Sequence, residues 1–90
     1  MTYIRPDERY PINWNRIRFA VFKRDGFRCV LCGSRNNLVC HHIDSVSHSQ
    51  NHSLKNLVTI CKDCHYLIHK KGMYWLNDVL RRYIEWIYGL

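Results

Sequence analysis

Apolar residues at Trp14, Ile17 and Val21 recur at helical spacing, with Arg16, Arg18, Lys23 and Arg24 between or beyond them, which predicts a helix over Trp14–Arg24. Asn13 stands where a cap belongs and Gly26 where the helix would end. A packing helix with a solvated basic face and a phosphate-contacting helix fit this pattern equally. Beyond it the period changes. Asn36-Asn37 signals a turn, Leu38 to Ile43 a first strand, Asp44 to Ser53 a polar loop, and Leu57-Val58-Thr59-Ile60 a short second strand. Helical character returns over Lys62–Lys71, with Leu67 and Ile68 available for the core and Gly72 as a stop. From Tyr74 to Tyr88, apolar residues at 75, 76, 79, 80, 83, 84 and 87 trace one stripe of a closing helix. Its Trp75, Tyr83 and Trp86 read as core or partner-facing packing rather than as a base-stacking platform. Residues 1–12, which hold Arg5, Pro6, Arg9 and Pro11, read as an extended basic arm, and 13–90 as one domain with its core at 27–71 and its last helix at 74–88.

A chain of 90 residues makes one small core, for which a metal or disulfide staple is expected. Four of the five cysteines form two matched pairs, Cys29-x-x-Cys32 and Cys61-x-x-Cys64, with zinc-knuckle spacing; Cys40 is left over and reads as a small apolar residue in the hairpin. No apolar run approaches a membrane span, and Met1 to Tyr10 is polar and charged rather than signal-like. The expected compartment is therefore the reducing cytoplasm, where paired thiols persist as metal ligands rather than disulfides. The formal charge of +7, from 14 Lys+Arg against 7 Asp+Glu, runs along the whole chain and suggests a polyanionic partner, of which nucleic acid is the commonest.

Four thiolates around one zinc close a tetrahedron and leave no open position, so the site formed by Cys29, Cys32, Cys61 and Cys64 is expected to be structural. Gly33, directly after the second cysteine, suits the tight turn of a knuckle. His65 and His69 lie four apart on the predicted helix, so their imidazoles leave one face about a turn apart, and Cys64 directly precedes the first of them. His41 and His42 end the first strand, where neighbouring side chains point to opposite faces. One of them can complete a three-histidine metal site while the other stays available to take a proton from water.

These residues carry a family resemblance. The string Leu38-Val39-Cys40-His41-His42-Ile43, then Asn56-Leu57-Val58-Thr59-Ile60-Cys61, then Cys64-His65 and Ile68-His69, resembles the HNH endonuclease motif within its CxxC zinc frame. Upstream, Arg18, Val21, Phe22, Arg24-Asp25-Gly26-Phe27, Cys29 and Cys32-Gly33 are similar to the lead-in of small phage and mobile-element HNH proteins. The resemblance covers roughly residues 14 to 69. It implies a small α+β fold: a ββα-metal (His-Me) finger, stapled by the four-cysteine zinc site and flanked by N- and C-terminal helices. It further implies His41, His65 and His69 as ligands of one catalytic divalent ion, His42 as general base, and Asn56 as the residue that holds the loop and orients His42. The chain departs from the family where a proline often follows the HHI segment, since Asp44 and Ser45 stand there, and in the additional loop histidines His48 and His52. Those two read as solvated, and Asp44 as a loop-capping residue.

The reaction so implied is hydrolysis of a DNA phosphodiester, nicking or double-strand cleavage, with products ending in 5′-phosphate and 3′-hydroxyl. Three imidazoles suit manganese, nickel, cobalt or zinc at least as well as magnesium. Arg16, Arg18, Arg24, Arg28, Lys62, Lys70 and Lys71 flank the motif and are the candidates for holding the DNA backbone, expected to be double-stranded; contacts of this type position a duplex without reading it. No separate sequence-reading module is apparent. One such site would nick one strand unless the chain dimerises or works beside a larger phage or mobile-element protein. The competing reading is a non-catalytic zinc-ribbon module that binds nucleic acid or protein, with the histidines incidental; an RNA-cleaving relative is a third.

Overall fold

The computed structural model describes residues 11–44 and 52–90, so His48 and all but the last two residues of the basic arm lie outside the described residues. The elements in order are α1 (Trp14–Arg24), β1 (Leu38–His42), a 3-10 turn (Leu54–Asn56), β2 (Leu57–Cys61), α2 (Lys62–His69) and α3 (Trp75–Tyr88). The protein is a small α+β structure in which an antiparallel hairpin leads directly into a helix, the ββα arrangement expected above. Leu38 pairs with Cys61, Cys40 with Thr59 and His42 with Leu57.

Because side chains alternate across a strand, the two-stranded sheet has two faces and each needs a cover. On one face Val58 and Ile60 join Ile43, Ile68 of α2, and Leu80 and Ile84 of α3 in the main buried cluster. Across the other face lies α1: the Thr59 hydroxyl reaches the Val21 carbonyl at 3.4 Å, and Val21, Leu57 and Thr59 are fully buried. Burial pushes the Cys40 thiol up to about 12, so it stays protonated as an apolar filler.

Element ends show where local chemistry departs from the sequence reading. Asn13 occupies the N-cap position of α1, but its side chain makes no cap bond; the first turn closes through Trp14 N–H to the Pro11 carbonyl, 3.0 Å. Helix α2 stops at His69 rather than Lys71 because the amides of Lys70 and Lys71 both turn to the Tyr66 carbonyl, at 2.8 and 3.4 Å, and Gly72 then takes a left-handed φ of 68°. In α3 the predicted stripe is only half right. Leu80 and Ile84 are buried and Leu76 and Tyr83 partly so, whereas Trp75 is 58% and Trp86 86% exposed, which takes both tryptophans out of the core. A two-stranded sheet offers too little area to cover a wide helical stripe.

The end of α1 is locked to the rest by a largely buried ion pair. The Arg24 guanidinium donates to both carboxylate oxygens of Asp25 (2.9 and 3.1 Å), to the Leu54 carbonyl (2.8 Å) and to the Leu57 carbonyl (2.7 Å). Asp25 accepts in addition from the Thr59 amide at 2.9 Å and from the Tyr88 hydroxyl at 3.0 Å, and the guanidinium lies 4.7 Å from the Tyr88 ring centroid. Arg24 is therefore a strut between α1, β2 and α3, and four of its five N–H donors are engaged inside the protein, which leaves one for the DNA contact expected of it.

The four paired thiols meet at the end of the hairpin. Each offers a sulfur within 4.8 Å of the others; Cys29 and Cys64 are 3.7 Å apart, and Cys32 and Cys61 3.5 Å. A tetrahedron with Zn–S bonds of about 2.3 Å puts sulfurs about 3.8 Å apart, so the cluster could hold zinc as it stands. Backbone amides already point at the sulfurs: Cys32 N–H at Cys29, 3.4 Å, and Cys64 N–H at Cys61, 3.5 Å. Burial opposes ionisation of Cys29, but amide donation from Cys32, Cys61 and Leu31 outweighs it and holds the thiol at about 7. Burial and the neighbouring thiols push Cys64 the other way. Four sulfurs this close cannot all ionise without a cation among them.

Two outcomes follow. Asp25→Ala, which leaves the Arg24 charge buried without its partner and the Thr59 amide without its acceptor, should lower the unfolding free energy by about 3–5 kcal/mol in urea titrations of the zinc-loaded protein. Metal analysis should find one zinc per chain held by the thiols, and its removal by a chelator or by Cys61→Ser should abolish cooperative unfolding, since structural zinc contributes about 10–16 kcal/mol in small domains.

Candidate functional site

His41 and His42 are consecutive on β1 and therefore face opposite sides of the hairpin. His41 faces α2 and α3. Helix α2 begins at the thiol cluster, where the Cys61 sulfur accepts the Cys64 amide as an N-cap, and this fixes the exit direction of His65 and, one turn on, His69. The ring centroids of His65 and His69 lie 4.3 Å apart and those of His41 at 5.4 and 5.5 Å from them, and the three residues each offer a nitrogen within 4.8 Å of the other two. Among the described residues these two groups, the four cysteines and the three histidines, are the ones whose donor atoms converge in this way. Imidazole nitrogens with no carboxylate among them suit a borderline transition ion better than magnesium. His41 is 2% exposed; burial, with the imidazoles beside it, brings it down to about 4, so it is neutral at physiological pH, the form that can ligate. Burial and His69 lower His65 as well. On α3, Asn77 brings its Oδ1 within 2.8 Å of His41 Nε2.

His42 occupies a different environment. Trp14, the first residue of α1, stacks on its ring with centroids 5.3 Å apart and planes 17° from parallel, and His52 places Nδ1 2.9 Å from His42 Nε2. Trp14 also borders His52, at 5.5 Å. Burial first, and His52 second, lower His42 to about 4. His52 is thus a ring partner of His42 rather than the solvated loop residue expected. Asn56 is buried, and its amide clamps the backbone of Asp44, two residues after His42: the Asp44 amide donates to Oδ1 at 2.8 Å and Nδ2 donates to the Asp44 carbonyl at 3.1 Å. Asp44 serves there through its main chain.

Of the basic residues proposed for DNA, Lys62 and Lys70 line a shallow hollow with Val39, His65, Tyr66 and His69, and Lys71 is exposed just beyond α2. Arg16 and Arg18 are exposed on α1, across the hairpin, with the Arg18 guanidinium 5.9 Å from the Phe22 ring centroid. Arg28 is exposed beside the thiol cluster. Trp14, His52 and Asn77 were not singled out as site residues by sequence reasoning. Asn77 left a trace there, as an amide between Leu76 and Leu80 on the side of α3 that becomes buried; Trp14 read only as an apolar position of α1.

No curated protein and no solved structure matches the chain. A family model does: the one described as HNH endonuclease matches residues 29–71. The match opens at the first zinc-spaced cysteine and closes just after α2, leaving α1 and α3 outside. Residues 29–71, with the hairpin, both cysteine pairs and the histidine-bearing helix, are thus similar to the HNH endonuclease family.

Proposed function

We propose that the chain is a metal-dependent endonuclease that hydrolyses DNA phosphodiester bonds, with 13–90 acting as one nuclease domain. The observation that carries this is the meeting of His41, His65 and His69 beside His42 at the end of β1, within a segment that matches the HNH family. His41 and His42 are consecutive at the end of β1, so the three-nitrogen cluster and the His42 ring leave opposite faces of the same end of the hairpin. His42 takes the proton of the attacking water there. Its ring is held on one side by Trp14 and at one nitrogen by His52, which limits the geometries it can sample. Asn56 fixes the chain leaving β1 through its clamp on Asp44, and so holds the loop that begins there. A divalent ion held by His41, His65 and His69 would neutralise charge developing on the phosphate and the leaving 3′ oxygen. Lys62, Lys70 and Lys71 on one side, and Arg16 and Arg18 on the other, would receive the backbone. The basic character of the chain accords with DNA as the substrate.

The test is nicking of supercoiled plasmid by zinc-loaded protein supplied with manganese, nickel, cobalt or magnesium. Cleavage is expected with the transition metals at least as fast as with magnesium, and His42→Ala should lower it by about 10²-fold or more while zinc content and circular dichroism stay unchanged. Cleavage by magnesium alone would discard the three-imidazole assignment. No cleavage by either protein with any metal would replace this reading with the non-catalytic zinc module.

A further inference from the structure

Asn77 lies on α3, outside the segment that matches the family, and on the face of that helix that turns toward the hairpin, beside Leu80 and Ile84. Asparagine is a weak helix former, and Asn77 is half-buried there. Its place there is matched by one contact, Oδ1 to Nε2 of His41 at 2.8 Å. Its own amide N–H is used in the helix turn, to the Tyr74 carbonyl at 3.0 Å.

A neutral imidazole carries one N–H and one lone pair, and which nitrogen holds which is set by the partner of the other. An amide oxygen only accepts. An imidazole bonded to it at Nε2 must therefore carry its proton there, which leaves the lone pair on Nδ1. The same bond stops rotation of the ring, which is otherwise bordered by His65 and His69 at 5.4 and 5.5 Å between centroids.

We propose that Asn77 is the positioning residue of the metal site: it fixes the tautomer and the angle of His41, so that Nδ1 is presented to an ion shared with His65 and His69. This rests on the three-histidine reading given under Proposed function. It also gives α3 a part in the site, since the helix that closes the core holds a ligand in its binding form. Hydrogen-bond partners of this type contribute about 10–100-fold to metal affinity in other metalloproteins.

The experiment is a calorimetric titration of nickel into the full chain already loaded with zinc, with zinc retention checked by metal analysis afterwards. The parent should bind one nickel that His69→Ala loses. Asn77→Leu, similar in volume but without an acceptor, should bind it about 10–100-fold more weakly. Asn77→Asp, which keeps the acceptor, should bind at least as tightly as the parent. Nickel affinity unchanged in Asn77→Leu, or Asn77→Asp as weak as Asn77→Leu, overturns the proposal, because Asn77 would then only fill space beside His41. If Asn77→Leu does not fold, Asn77→Ser, too short to reach Nε2, takes its place with the same two readings. A parent that binds no nickel, or a His69→Ala variant that binds it equally well, overturns instead the three-histidine assignment on which the inference stands.

Discussion

Mutual repulsion among four sulfurs held within 4.8 Å of one another is the constraint on which the rest of this small structure depends. Once a cation satisfies them, several consequences follow without further specification. The pairing of Cys61 with Leu38 sets the register of the hairpin, and the Cys61 sulfur caps α2 by accepting the Cys64 amide. The start of α2 is thereby fixed relative to β2, and with it the positions of His65 and His69. The thiols that could hold a structural zinc and the histidines that could hold a second metal are thus linked through a single helix terminus. That is an economical arrangement for 90 residues, whose apolar core alone would be marginal.

The hairpin then divides the chemistry by its own periodicity. His41 is turned into the space under α2 and α3, where imidazoles and one amide await it, and His42 to the opposite side, where an indole and a second imidazole border it. Both rings are brought well below their ordinary pKa chiefly by burial, so both are neutral near pH 7. Neutrality is what the ligand and the base proposed above have in common. The same desolvation that would be a liability for a charged group keeps each ring in the form that carries one lone pair, and each ring's neighbours decide which nitrogen carries it.

Much of this was legible in the sequence because it is written in spacing. The two CxxC pairs, the four-residue interval from His65 to His69 and the alternation at His41-His42 each translate into geometry through a fixed period, and the hairpin and three helices were expected within a residue or two of their observed limits. What escaped was non-local. Nothing in the neighbourhood of Asp25 announces that its carboxylate will accept the Thr59 amide and the Tyr88 hydroxyl, from residues far along the chain. His52 could not be separated from His48 by composition, since its role depends on the path by which the loop returns to β2. The α3 stripe was misjudged for a related reason: periodicity gives the width of an apolar face, while the area available to cover it is a property of the finished sheet.

Arg24 shows why a charge count is a poor map of a nucleic-acid surface. Seven cations near the motif appeared equivalent in the sequence, yet one of them is matched by a buried carboxylate and two main-chain carbonyls, so its charge is internally compensated. Coulombic attraction to a polyanion depends on charges that remain hydrated and unpaired, and these stand on both sides of the hairpin: Arg16 and Arg18 on α1, whose first residue packs on His42, and Lys62 and Lys70 around the hollow that contains His65 and His69. The end of β1 lies between the two sets. A basic balance that looked diffuse along the chain stands, in space, on both sides of the two consecutive histidines, and it is this placement rather than the formal +7 that a polyanion bound there would meet.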